Sequence, residues 1–480
     1  LCIQDMVVRR PMKGILSLLL LALALWSTVE SKREPLGQSI ILISVDGYGA
    51  ALLNSTKADA EHGIHKIAAQ GVRADHLKPV FPTLTIPSWH SLATGLYTEN
   101  HGMTANYMFD PNTTRTYQGG RNGSDSDYFW WKSRPKPFWY TAGKNNVDVN
   151  CYWFSYCQQP FGDMAVILPQ ERKTDLLIPE QTNAMPAMFD EMVTRISRYQ
   201  PYRKQLFLIR YTGIDTALRN FGAGSDQVEQ ALAKFDDHLT DLQDKMEENG
   251  LHESTNLIVL SDHGLARIVE EEQFYLEECL SDYSNIINVV GGKSMLIIHT
   301  KEGAEDSVFF ELKVCDQWEN SGDYEDEVSP VEVYRSNALP ESLHIGHGRF
   351  LGNIVVITKP GTTVITRQLP SVPERESERE REFMGDGWNN TAESMLGIFV
   401  ARGPAFKVGE RADPIELVDV YNMVLNIIGI PAAHTNNGSW ERVEPMLQED
   451  WENRASSQTS SSIALPIFFS VLISIAALLI

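Results

Sequence analysis

"IILISVDG", residues 40–47, decides the fold class. The run is apolar at successive positions except for Ser44, and it ends on Asp46-Gly47. A strand with one wet face alternates apolar and polar residues. A strand apolar throughout needs cover on both faces, as in the parallel sheet of an α/β fold. Two further runs have the same form: "LFLI" (206–209), which leads to Asp215, and "NLIVL" (256–260), which ends in Ser261-Asp262-His263-Gly264. "GIFVARGP" (397–404) resembles them. Between such runs lie helical patterns. From Ser225 to Asn249 the apolar positions Val228, Leu232, Phe235, Leu239, Leu242 and Met246 step by fours and threes, with Ser225 placed to cap the start and Gly250 to end the helix. The alternation predicts an α/β doubly wound, mostly parallel sheet flanked by helices. Ligands of such sheets collect at the carboxyl ends of the strands, where this chain carries acidic residues and histidine.

The chain has 480 residues, enough for one large domain with an appendage. Its 41 basic and 63 acidic residues give a net charge of −22, which sets nucleic-acid polymers aside as partners. Residues 12–32 read as a secretory signal peptide, with basic residues, a short apolar run and then small and polar ones; residues 1–11 lie upstream of Met12, the expected start. At the other end a polar stalk (448–462) precedes an apolar tail (463–480) with no basic cluster after it. That order predicts a GPI-type lipid anchor at the plasma membrane, with a single membrane helix as the alternative. The expected location is therefore the cell surface. Sequons at Asn54, Asn112, Asn122, Asn389 and Asn437 fit a glycoprotein, and Cys151, Cys157, Cys279 and Cys315 allow two disulfides in three connectivities. The mixed-charge run 371–382 reads as a solvated loop.

"FPTLTIPSWHSLATG" (81–95) carries the next signal. Pro87 fits a first helical turn, with Trp89, Leu92, Ala93 and Leu96 as the apolar face. Thr85 then lies near the helix N-terminus, where free N–H groups favour an anion. Its hydroxyl is either a helix cap or a nucleophile activated by a metal. Adjacent Asp262 and His263 can bind a borderline cation such as zinc, and Asp46 offers a third ligand from a neighbouring strand end.

"ILISVDGY", "FPTLTIPSWHSLATGLYTENHGMTANYMFDP", "NLIVLSDHG" and "IFVARGPAF…VDVYNMVLNIIGI…NNGS" resemble the ectonucleotide pyrophosphatase/phosphodiesterase family of the alkaline phosphatase superfamily. Among its branches the look is nearest to the choline-specific glycerophosphodiesterase. The resemblance implies a catalytic domain over 38–447 with a small inserted cap region, two zinc ions and a Thr or Ser nucleophile. Carried over, it makes Thr85 the nucleophile and gives one zinc Asp46, Thr85, Asp262 and His263. The second zinc would have an Asp, a His four residues on and a distant His. Here those positions hold Asp215, Arg219 and Asp386, and Ser88 stands where the family has a phosphate-contacting Asn.

One metal site is thus intact and the other has lost both histidines. Arg219 is either a phosphate contact in place of the metal or the partner of Asp215 and Asp386 in a salt bridge built into a former site; a harder ion on the two carboxylates is the remaining option. Two functions stay open. One is an extracellular metal-dependent phosphodiesterase acting on a small-molecule phosphodiester, nucleotide or choline-bearing. The other is an inactive relative serving as a cell-surface binding or adhesion module with a protein partner. A choline pocket would need an aromatic box, and "YFWWKSRPKPFWY" (128–140) supplies aromatics that core packing would equally use.

Overall fold

The computed structural model describes residues 38–448 apart from 57–58, 120–127, 132–133, 155–156, 158–177, 201, 316–328, 347 and 368–382. The signal peptide, residues 449–462 of the stalk, the tail, Asn122 and the charged run 371–382 lie outside the described residues. The three decisive apolar runs become β1 (Ser39–Val45), β2 (Gln205–Tyr211) and β3 (Thr255–Ser261). They occupy the middle of a seven-stranded sheet, ordered Glu410–Ala412, Val72–Ala74, Phe399–Arg402, β3, β1, β2, Asp148–Tyr152. β1 is parallel to both neighbours, with Val45 level with Tyr211 on one side and Ser261 on the other. Every residue of β1 and β3 is buried. Alternate residues face two separate cores: Ile40, Leu42, Leu206, Leu208, Ile258 and Leu260 pack on one side, and Ile41, Ile43, Phe207, Ile209, Leu257 and Val259 on the other.

The strand Phe399–Arg402 departs from the expected likeness, because it runs antiparallel to β3 and to Val72–Ala74. A run buried on both faces records burial and carries no information on direction. Direction is set by how the chain arrives, and here a loop crossing from the strand ends brings it back down the sheet.

The predicted helices form where their patterns place them. The segment Thr85–Thr94 is α1, Gly213–Phe221 is α2 and Asp226–Glu248 is α3. Ser225 caps α3 by accepting the Val228 N–H, and all six predicted apolar positions are buried. Gly250 follows with a positive φ of 66°. A second sheet consists of four antiparallel strands in the order Ile286–Gly291, Met295–Thr300, Ile354–Thr358 and Val331–Arg335. Disulfides join Cys151 to Cys157 and Cys279 to Cys315, which settles the pairing that spacing left open. Trp130, Phe138 and Trp139 of the aromatic run are buried in the core, the bland reading of that stretch. No helix among the described residues is long and apolar enough to cross a membrane.

Candidate active site at the strand ends

Parallel pairing brings the ends of β1, β2 and β3 level, so the residues just beyond them converge. Asp46 follows β1, Asp262 and His263 follow β3, and Asp215 lies in the first turn of α2 after β2. The turn after β1 depends on Gly47. Its φ is +68°, and a Cβ there would stand 2.8 Å from Asp215 Oδ1, so only glycine lets the two strand ends close up.

Ligand atoms of Asp46, Asp262 and His263 lie within 4.8 Å of one another, and all three residues are buried. Asp262 Oδ1 accepts from the N–H groups of Gly47 (3.3 Å) and His263 (3.1 Å), and Oδ2 accepts from Trp89 Nε1 (3.1 Å). His263 Nδ1 is 3.0 Å from the Gly264 carbonyl, so it carries the proton there and leaves Nε2 facing the cluster. Around Nε2 stand Thr85 Oγ1 at 3.3 Å, Asp46 Oδ1 and Asp386 Oδ2 at 3.5 Å each, and Asp262 Oδ2 at 3.8 Å. Asp46 Oδ1 is buried without a hydrogen-bond donor. Buried acceptors are seldom left so. A donor set of carboxylate oxygens and one imidazole nitrogen, with one oxygen bare, fits a divalent ion.

Thr85 does not cap α1. Leu84 holds the cap position, no side chain makes a cap bond, and the Thr85 hydroxyl turns instead to His263. Ser88, one turn on, is fully buried, and its hydroxyl makes no hydrogen bond.

The other half of the site is closed differently. Arg219 Nε donates to both oxygens of Asp215 at 2.9 Å, and its Nη2 donates to Asp386 Oδ2 at 2.8 Å. The three side chains are 21%, 13% and 15% exposed. Those carboxylates already have a cation. This half therefore does not fit a second ion.

Burial would lower the pKa of His263, but Asp262, Asp386, Asp46 and Asp215 outweigh it and push it up to about 9. Burial, followed by the charge of Asp46, raises Asp262. Both shifts describe a cluster with more negative charge than it can neutralise by itself.

Two further side chains at the site, Arg210 and Trp89, carry no sequence motif for it. Arg210, at the end of β2, donates through Nη2 to Asp46 Oδ2, and its guanidinium lies 4.3 Å from the centre of the Trp89 ring. Its helical spacing marks Trp89 only as an apolar-face residue. The available signal is the arginine itself, a lone cation directly after the apolar run 206–209 and five residues before Asp215.

The model of the type I phosphodiesterase / nucleotide pyrophosphatase family matches residues 40–386. The bis(5'-adenosyl)-triphosphatase of Bos taurus is 26% identical over 426 residues, covering 86% of this chain and 82% of that protein. Ectonucleotide pyrophosphatase/phosphodiesterase family member 1 of Rattus norvegicus is 27% identical over 402 residues, covering 82% of this chain and 41% of that protein. The structure of human ectonucleotide pyrophosphatase/phosphodiesterase 5 superimposes with a TM-score of 0.71 at 22% identity, over 86% of this chain and all of that one, a likeness of fold. With a matching family model spanning most of the described chain, and the strand ends built as above, this protein belongs to the type I phosphodiesterase / nucleotide pyrophosphatase family, whose members are metal-dependent phosphoric diester hydrolases.

Proposed function

We propose that this chain is a cell-surface phosphodiesterase that works with one zinc ion, held by Asp46, Asp262 and His263 with Thr85, and with Thr85 Oγ1 as nucleophile. The observation that carries the reading is the Thr85 hydroxyl. It stands at the first residue of a ten-residue helix, makes no cap bond, and lies 3.3 Å from His263 Nε2. A divalent ion in that position lowers the pKa of an adjacent hydroxyl and offsets charge on a phosphoryl oxygen. Thr85 gives its hydroxyl proton to solvent, its Oγ1 forms an O–P bond as the ester bond on the opposite side breaks, and the leaving alkoxide takes the bonding pair and then a proton from solvent water. Water later hydrolyses the threonine ester. The N–H groups that open α1 favour the phosphate at this point. Arg219 supplies a fixed positive charge beside it, moderated by Asp215 and Asp386.

A nucleotide-bearing diester is the first substrate to try, since relatives named for a bis-adenosyl triphosphate align over most of the chain. A choline glycerophosphodiester is the second. The two disulfides and the exposed sequon asparagines Asn54, Asn112, Asn389 and Asn437 support an extracellular glycoprotein. Residues 12–32 would direct secretion, and the tail 463–480 would be exchanged for a lipid anchor.

A binding-module reading is favoured by one observation, the ion pair of Arg219 with Asp215 and Asp386 where the family resemblance implies a second ion. Hydrolysis of a chromogenic phosphodiester by the wild type and by Thr85→Ala, with zinc, manganese or magnesium, separates the two. Metal-dependent turnover lost in Thr85→Ala supports the enzyme. Equal background rates in both proteins, with a dinucleotide and a choline diester as well, would leave a surface binding protein.

A further inference from the structure

We propose that Arg210 is a positioning residue for the ion site, holding one oxygen of Asp46 so that the other is presented to a single divalent cation; this rests on the ion reading above and adds a residue to it. Arg210 is level with Ser44 in the sheet register, and one residue on, the Tyr211 carbonyl accepts the Asp46 N–H at 2.8 Å. Backbone pairing therefore places the guanidinium beside the carboxylate before any side-chain choice is made. Arg210 Nη2 takes only Asp46 Oδ2. Oδ1 stays buried and without a donor, 3.5 Å from His263 Nε2. A guanidinium that filled the site would have covered both oxygens, as a planar fork readily does.

Trp89 couples this restraint to the second carboxylate. Its ring lies under Arg210 at 4.3 Å, while its Nε1–H holds Asp262 Oδ2 at 3.1 Å. One indole thus fixes both the residue that orients Asp46 and the orientation of Asp262. Charge agrees. The four carboxylates Asp46, Asp215, Asp262 and Asp386 face two guanidiniums, a formal −2 with His263 neutral, and one divalent ion brings the site to zero. The two arginines together supply the charge of one ion.

Zinc affinity and stoichiometry, read by chelator competition on metal-stripped full chain, test the assignment. Wild type is expected to bind one zinc. Arg210→Gln is expected to bind it about 10–100-fold more weakly, the usual cost of losing the group that orients a ligand. Arg210→Lys, which keeps the charge and loses the fork, is expected to fall between. Affinity equal to or tighter than wild type in either variant would overturn the proposal and make Arg210 a bystander or a competitor of the ion. Should Arg210→Gln fail to fold, judged by the melting of the metal-free protein, Arg210→Lys decides alone on the same criterion. A wild type that binds no zinc would overturn both this role and the one-zinc reading. Zinc bound as expected with no hydrolysis would overturn the proposed activity and leave the positioning role standing.

Discussion

Around His263 a guanidinium occupies one oxygen of its carboxylate and leaves the other bare, whereas on α2 a guanidinium takes both oxygens of Asp215 and reaches Asp386 as well. The two halves lie at the ends of adjacent strands, share the field of the same four carboxylates, and each has one arginine. Their difference shows that arginine can accompany a cation or replace it. What decides is how many lone pairs it leaves open. Asp386 joins the halves, since its Oδ2 accepts from Arg219 and also stands 3.5 Å from His263 Nε2.

The largest expected effect separates the halves outright. Asp262→Asn should weaken zinc binding by about 100-fold or more, because it removes a charged ligand from a buried site. Arg219→Met should leave that binding within a few-fold. Comparable losses in both variants, by chelator competition, would mean that the site cannot be divided as described.

The next tests whether the second half can be restored. Arg219→His combined with Asp386→His returns two imidazoles beside Asp215, a donor set zinc accepts. Zinc content, by elemental analysis of the dialysed protein, should rise from one to about two per chain, with hydrolysis at least ~10-fold faster from the added charge stabilisation. A stoichiometry that stays at one would show that the space, as well as the ligands, has been lost.

Much of this arrangement was legible in the sequence. The apolar runs predicted parallel central strands, and the strand ends predicted the meeting of Asp46, Asp262 and His263, because register follows once neighbouring strands are buried on both faces. The fourfold spacing of Asp215 and Arg219 predicted their pair on α2. Other features need three dimensions. The direction of Phe399–Arg402 depends on its connection. The cysteine pairing depends on which loops approach. Arg210 and Trp89 enter the site through cross-strand register and a helix docking angle, neither of which has a local pattern. Asp386 is 167 positions from Arg219, and only the family resemblance drew the two together.

A smaller effect concerns pH. His263 must give up the proton on Nε2 to bind an ion, and in the ion-free protein its pKa is pushed up to about 9. The raised pKa means that zinc competes with a proton below that value. Affinity should therefore climb as pH rises, by ~10-fold per unit for one proton released, and level off above about pH 9. A pH-independent affinity would place the ion away from His263. The smallest effect is on stability. Arg219→Ala leaves Asp215 and Asp386 facing each other without a cation, and should cost about 1–3 kcal/mol, a figure reduced for their partial exposure. Asp386→Asn, which keeps the stronger Arg219–Asp215 contact, should cost less than about 1 kcal/mol. Denaturant midpoints in that order agree with a structural ion pair, and the reverse order would break it.

The most direct test of a one-ion phosphodiesterase is a zinc titration of the metal-stripped protein, following hydrolysis of a chromogenic phosphodiester. Turnover should appear with the first equivalent and reach its plateau there. No turnover at any equivalent, or a rise that needs a second, would contradict it.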